Sequence, residues 1–349
     1  MSVRIGILTG GGDCPGLNAV IRAVVRTTIQ VHGGRVFGVR KGWHGLMAGE
    51  MQELLLHTVS GTLPKGGTIL GTSRTNPFKV ENGFEKIQEN FKDFRLDALV
   101  AVGGEDTLGV GDKLFQRGIP VVGVPKTIDN DLCGTDFTFG FDTAVNIAMD
   151  AIDRLHTTAE SHNRVIVVEV MGRHAGWIAV HAGIAGGADV VLIPEVAIEL
   201  DDVCEIIRQR HKRGKDFSIV VVAEGAKFAP GTPADGELVV QDTKLDAFGH
   251  VRLGGIGALL ADAIEKKTGF ETRYSVLGHI QRGGAPTAFD RVLATRFGVA
   301  AVELVMKKEF GKMVSLHGNK IRAIPIAEAV AGQKTVDEDL YSIAKIFFG

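Results

Sequence analysis

Cysteine is scarce: three residues, Cys14, Cys133 and Cys204, in a chain of 349 are too few and too scattered for a disulfide framework or a zinc cluster. They read as reduced packing residues of a cytoplasmic protein. An excess of one charge is also missing. With 39 basic and 41 acidic side chains the formal net charge is -2, so there is no global attraction for nucleic acid or an anionic membrane, and any phosphate binding has to be local. No apolar stretch approaches the roughly 20 residues of a membrane-spanning helix. The start, MSVRIGILTGGGD, lacks a long apolar region and a small-residue cleavage site, which argues against secretion. The fingerprint GxGxxG and the Walker pattern GxxxxGK[ST] are both absent, and a P-loop NTPase is disfavoured.

What is present is a large apolar inventory, 45% hydrophobic against 23% charged, enough for one big or two medium globular domains. Short β-branched runs (3–8, 98–102, 121–124, 165–170, 190–193, 219–222) alternate with longer amphipathic stretches such as 17–31, 108–116 and 253–267. That alternation predicts an α/β fold with mostly parallel sheets buried on both faces. The 46 glycines cluster where the apolar runs end, the edge at which open α/β sheets bind ligands. Residues 227–252, rich in Gly, Pro and Asp, read as a mobile excursion.

Six polar clusters stand at strand ends: GGGDCPG (10–16), GGEDT (103–107), PKTIDND (125–131), MGR (171–173) and Glu224 follow five of these runs, and HIQRGG (279–284) follows YSVLG. One cleft is the economical reading. Gly10, Gly11 and Gly12 let a backbone approach phosphate, although a plain tight turn fits them equally well. Glu105 and Asp106 at the head of a helix either favour its macrodipole or hold magnesium on a phosphate. Asp129 and Asp131 flank Asn130 at a strand end, where a phosphoryl transfer needs a carboxylate to accept the proton of the attacking hydroxyl, an effect of ~10²–10⁴ in rate. Arg74, Arg164, Arg173, Arg273, His279 and Arg282 adjoin turns or strand ends. As a set in a near-neutral chain they point to a site for more than one phosphoryl group.

Together GGGDCPGLN, TSRTNP, GGEDT, PKTIDND, SHNRVIVVEVMGR, AGG (185–187) and ETRYSVLGHIQRGG resemble the 6-phosphofructokinases, in register from about residue 3 to residue 296. The resemblance implies two Rossmann-like three-layer α/β/α lobes with the active site between them. Residues 1–140 plus 281–331 would form the phosphoryl-donor lobe, and 141–280 plus 332–349 the fructose 6-phosphate lobe. It also implies Asp129 as general base on the 1-hydroxyl with Thr127 beside it, and Arg173 on the transferring phosphoryl group. Met171, Gly172, Arg173 and Glu224 would contact the sugar. His279, Arg282, Arg164 and Arg273 would hold its 6-phosphate, the last two donated across subunits of a homo-oligomer, dimer or tetramer. Gly11, Arg74, Gly104 and Thr107 match the donor side, and Glu105 stands where the family has its magnesium aspartate.

Donor choice turns on two side chains. ATP-using relatives carry glycine at the position of Asp106. A carboxylate there fills that space and repels the nucleotide's inner phosphate, by about 4 kcal/mol for unit charges at ~4 Å and an effective dielectric near 20. That is on the order of a thousandfold in affinity. Lys126 replaces a glycine with a cation able to pair with Asp106 and grip pyrophosphate. The resemblance therefore implies the pyrophosphate-dependent type, with an ATP-dependent 6-phosphofructokinase and a non-catalytic sugar-phosphate sensor as the alternatives. Arg22, Arg26 and Arg154 match positions where ATP-dependent relatives bind effectors, and a solvated or subunit-contact face fits them as well.

Overall fold

The computed structural model describes residues 2–231, 238–242, 247–249 and 252–349. The central runs of apolar, β-branched residues become strands buried on both faces: β1 (Arg4–Thr9), β4 (Ala98–Gly103), β5 (Val121–Thr127), β7 (Val165–Val170) and β9 (Ser218–Ala223). Ile5 and Ile7 have no exposed surface, and each contributes about 1.5–3 kcal/mol by leaving water. The remaining strands are short or amphipathic. They are β2 (Arg35–Val39), β3 (Met51–Leu54), β6 (Phe139–Gly140), β8 (Val190–Leu192), β10 (Val240–Asp242), β11 (Arg252–Leu253), β12 (Thr272–Val276), β13 (Lys312–His317) and β14 (Lys320–Pro325).

Among the described residues these strands form an eight-stranded sheet, order β14-β13-β5-β4-β1-β2-β3 with β6 beside β5, and a four-stranded sheet, order β12-β7-β9-β8. β10 and β11 make a separate antiparallel pair within the 227–252 excursion, and the rest of that excursion lies outside the described residues. Pairing is parallel except at the margins of the large sheet, where β3 and β14 run antiparallel to their neighbours. β1 lies between β2 and β4, so the chain leaves β1 in one direction and β4 in the other. The glycine loops after these two strands therefore flank a topological switch point, where open α/β sheets form a ligand crevice.

One helix differs from the sequence expectation in its last turn. The helix expected over 17–31 is α-helical over Leu17–Arg26 and continues as a π-helical turn over Thr27–Val31. The amphipathic stretch 108–116 belongs to a helix that begins at Glu105, with Glu105 and Asp106 at its head as expected, because two acids in a first turn are favoured by the exposed N–H groups and the macrodipole.

The helix Phe141–His162 passes from the large sheet to the small one, and its first turn is tied to the helix Ala288–Met306. Asp290, fully buried, accepts the Thr143 N–H at 2.9 Å and the Thr143 hydroxyl at 2.5 Å. In return Thr287 donates its hydroxyl to Asp142 at 2.5 Å. Burial pushes Asp290 up to about 6, against these hydrogen bonds.

The helices Leu17–Arg26 and Ala288–Met306 pack closely through Gly298. A Cβ there would stand 2.7 Å from the Ala23 side chain and 2.9 Å from the Val20 carbonyl oxygen. Gly298→Ala gains up to about 1 kcal/mol of helix propensity but forces two backbones apart, at a cost of about 1–3 kcal/mol. A net loss of stability is expected in urea denaturation; an unchanged or higher midpoint would contradict the close approach.

Candidate active site

All six polar clusters contribute to one cavity of about 180 Å³. Its lining includes Gly11, Gly12 and Asp13 after β1, Gly104 to Thr107 after β4, Lys126 to Asp129 with Asp131 at and beyond the end of β5, Met171 and Arg173 after β7, Glu224 after β9, and Arg282. Arg74 lines it from the TSRTNP segment. Side chains from both sheets therefore face one another.

Close packing shapes the donor-side wall. A Cβ on Gly10 would lie 2.6 Å from the Thr107 hydroxyl oxygen, and one on Gly103 would lie 2.3 Å from the Thr107 Cβ. Only glycine lets the two loops meet over Thr107, which is 2% exposed. Gly11 has φ of 74°, a left-handed conformation glycine adopts without penalty. Its carbonyl accepts the Thr72 hydroxyl at 2.6 Å, and the next carbonyl, of Gly12, accepts the Lys126 ammonium at 2.5 Å. Arg282 reaches the same loop, since a Cβ on Gly12 would stand 2.8 Å from its Nη1. Lys126 is 4% exposed. Burial pulls its pKa down, and Asp13 and Asp129 act against that.

The IDND turn displays its two aspartates by means of the residue between them. Asn130 is 1% exposed with φ of 52°, a conformation asparagine tolerates better than most side chains. Its side chain accepts the Thr138 N–H at 3.0 Å and donates to the Asp136 carbonyl at 3.3 Å. The Thr127 hydroxyl accepts the Asp129 N–H at 3.0 Å and donates to the Asp131 carboxylate. Asp129 Oδ1 has no hydrogen-bond partner among the described residues. Burial raises Asp129 well above the usual carboxylate range, and the Asp131 and Glu224 charges raise it further, while Arg282 and Arg173 oppose them. Burial likewise raises Glu224, opposed mainly by Arg173. The Arg173 loop rests on the end of β9: Gly225 donates to the Gly172 carbonyl at 3.0 Å, and a Cβ on Gly225 would be 1.9 Å from the Arg173 carbonyl oxygen.

Four nominated residues stand apart from the cavity lining. Gly172 is backbone support behind Arg173, and His279 is exposed. Arg164, just before β7, and Arg273, on the adjacent β12, both meet the Glu271 carboxylate, at 2.7 Å and 2.5 Å. Arg22, Arg26 and Arg154 do not line the cavity either. In the other direction, Asp13, Cys14, His174 and Phe248 line it without having been singled out. Asp13, Cys14 and His174 adjoin nominated motif residues, a signal that was available; Phe248 belongs to the 227–252 excursion and carried none. Among the described residues no group of three or more His, Cys, Asp or Glu side chains is arranged to hold a metal by itself, and no helix is long and apolar enough to cross a membrane.

The chain matches the phosphofructokinase family over residues 4–305 and belongs to it. Within that family it is 58% identical over 348 residues to a Streptomyces coelicolor protein named pyrophosphate–fructose 6-phosphate 1-phosphotransferase, covering 99% of this chain and 100% of that one. It is 50% identical over 349 residues to a Corynebacterium efficiens ATP-dependent 6-phosphofructokinase, covering 100% of this chain and 99% of that one. Among solved structures, Pichia pastoris phosphofructokinase in the T-state superposes with a TM-score of 0.84 at 33% identity, over 99% of this chain and 36% of that longer one.

Cys14 is 1% exposed, and burial drives its thiol pKa far upward, leaving almost no thiolate to react. Native protein treated with a thiol reagent at pH 8 should therefore keep Cys14 unlabelled in peptide mass spectrometry. Labelling at the rate of a free thiol would contradict the packing of the glycine loop.

Proposed function

We propose that this protein transfers a phosphoryl group reversibly from pyrophosphate to the 1-hydroxyl of fructose 6-phosphate, giving fructose 1,6-bisphosphate and phosphate. The observation that carries the reading is that Asp106 and Lys126 line the donor side of the same cavity into which Asp129 is set. The higher identity to the pyrophosphate-named relative than to the ATP-named one, 58% against 50%, supports it.

In this reading the large-sheet lobe (1–140 plus 281–331) holds the donor, and the small-sheet lobe (141–280 plus 332–349) holds the sugar phosphate. Gly11, Arg74, Gly104, Thr107 and Lys126 cradle pyrophosphate, and Asp106 occupies the space that a nucleotide's inner phosphate needs. Asp129 takes the proton of the 1-hydroxyl on its unpartnered oxygen, the backbone on its other side being held by Thr127. Arg173, opposite, offsets charge on the moving phosphoryl group. Met171 and Glu224 contact the sugar, Gly172 shapes the loop beneath it, and Arg282 takes the 6-phosphate.

Glu105, Asp106 and Asp131 present carboxylate oxygens to this cavity, the hard donors magnesium prefers beside phosphate oxygens. Glu105 is the assigned ligand. Magnesium, when bound, would neutralise charge on the donor phosphates.

His279 joins Arg282 on the 6-phosphate, and Arg164 and Arg273 complete the 6-phosphate site of a neighbouring copy in a homo-oligomer. Support comes from the half-buried Arg164 and the exposed Arg273 lying near Tyr274, Val276 and Ile280, which are 53%, 44% and 68% exposed.

Asp106→Gly, assayed with both donors at matched magnesium, should gain ATP use and lose pyrophosphate use. Strong ATP and negligible pyrophosphate activity in the unaltered enzyme would sink the donor reading. Asp129→Asn should lower kcat by at least ~10²-fold while sparing fructose 6-phosphate binding. Because the base must be ionised and its pKa is raised, kcat/KM should fall as pH drops towards and below neutrality. Asp131→Asn removes one of the raising charges and should move that limb to lower pH. A limb that stayed put would detach it from Asp129.

A further inference from the structure

A short piece of chain near the C-terminus, residues 333–336, makes contacts on both walls of the cleft. On the large-sheet side Gln333 bridges to Leu132, and the Lys334 N–H donates to the carbonyl of Asp131 at 2.8 Å. The Lys334 ammonium donates to the carbonyls of Thr135 at 2.9 Å and Asp136 at 2.8 Å. On the small-sheet side the Lys334 carbonyl accepts the Trp177 indole N–H at 2.8 Å, and the ammonium lies 5.2 Å from the centre of the Trp177 ring. Two residues on, Val336 donates to Glu195 Oε1 at 2.9 Å, and the same oxygen accepts the Gly176 N–H at 3.0 Å.

These attachments meet the two loops that matter. Asp131 to Asp136 continues the turn that carries Asp129, and Gly176 and Trp177 open the helix Trp177–Ala185 three residues beyond Arg173. The base and the cation therefore sit on separate sheets but are referenced to one segment.

We propose that Lys334 is a positioning residue that fixes the Asp129 turn relative to Arg173, with Trp177 and Glu195 as its counterparts on the small-sheet side. The proposal rests on the roles given above to Asp129 and Arg173. Lys334 is suited to the task because one ammonium serves two carbonyls and an aromatic face at once. Asp136, Asp131 and Asp337 offset its burial, which brings it down to about 8, so it is charged at neutral pH. His181, on the neighbouring helix face, is held towards its neutral form by burial and by Lys334 itself. A loss of register of about 1 Å between reacting groups can lower turnover ~10²-fold without changing the groups that bind substrate.

The test uses Lys334→Met, which keeps the length of the stem, and Lys334→Arg, which keeps the charge and the donors. Lys334→Met should lower kcat ~10-fold or more with KM for fructose 6-phosphate within about threefold of the parent, and Lys334→Arg should recover most of it. Hydrogen–deuterium exchange should rise together at residues 129–136 and 172–177 in Lys334→Met. Should that variant fail to fold, Trp177→Phe removes the indole donor while keeping a smaller aromatic ring, and it should still lower kcat more than it changes KM. Unchanged kcat with a reduced melting temperature, or a rise in KM alone, would reduce the segment to a structural tie and overturn the proposal. Exchange does not depend on the donor. Inactivity of the parent enzyme with both pyrophosphate and ATP would sink the proposed function, whereas unchanged exchange at both loops in Lys334→Met would sink this inference.

Discussion

Ionisable groups withdrawn from water have to be compensated by one another, and that requirement organises the cleft. Asp129, Asp131 and Glu224 are each raised by burial. Arg173, Arg282, Lys126 and Lys334 supply the opposing charge from four different parts of the chain. Removing one partner from such a set leaves the others uncompensated in a low-dielectric setting, a cost of several kcal/mol for a buried charge. The ends of β5, β7 and β9, the Arg282 loop and the C-terminal segment are therefore coupled by the charges they carry, as well as by the apolar layers beneath them.

The two sheets are joined by devices that use few atoms. The Asp142, Thr143, Thr287 and Asp290 network ties the first turns of two helices on one side of the molecule. On another side, Lys334 and Glu195 tie the loops around the cavity. Between them, Gly10 and Gly103 admit the Thr107 side chain, and Gly225 the Arg173 backbone, so close that a side chain there would collide. These three glycines thus record close approach at the strand ends.

Much of the fold was legible beforehand because a strand buried on both faces has to be a continuous apolar run, and ALVAV, VIVVEV and SIVVVA could hardly serve elsewhere. Helix boundaries were less legible. Glu105 and Asp106 were readable at the head of a helix, and they lie in its first turn, where the end of the backbone dipole accommodates charge. The switch to a π-helical turn at Thr27–Val31 has no marker in the local pattern. In the cavity, Asp129, Thr127, Lys126 and Arg173 were recognisable from their motifs. Phe248 was not, since an aromatic residue in a glycine-rich excursion shows no period, and Lys334 was not, since its partners are mostly backbone carbonyls far away in sequence.

By itself the sequence determined the family, the α/β alternation and the chemical types gathered at the strand ends, because each depends on local runs and short motifs. Only the tertiary structure decided which of those residues share a cavity. Asp106 and Lys126 come to line one wall because β4 and β5 are neighbours, whereas Arg164 and Arg273 meet on Glu271, outside that lining, because β7 and β12 pair beside it. Lys334 reaches the Asp129 turn through a bridge to Leu132 that spans 201 positions of chain. Such juxtapositions follow from strand order and long-range pairing, which no local stretch of side chains encodes.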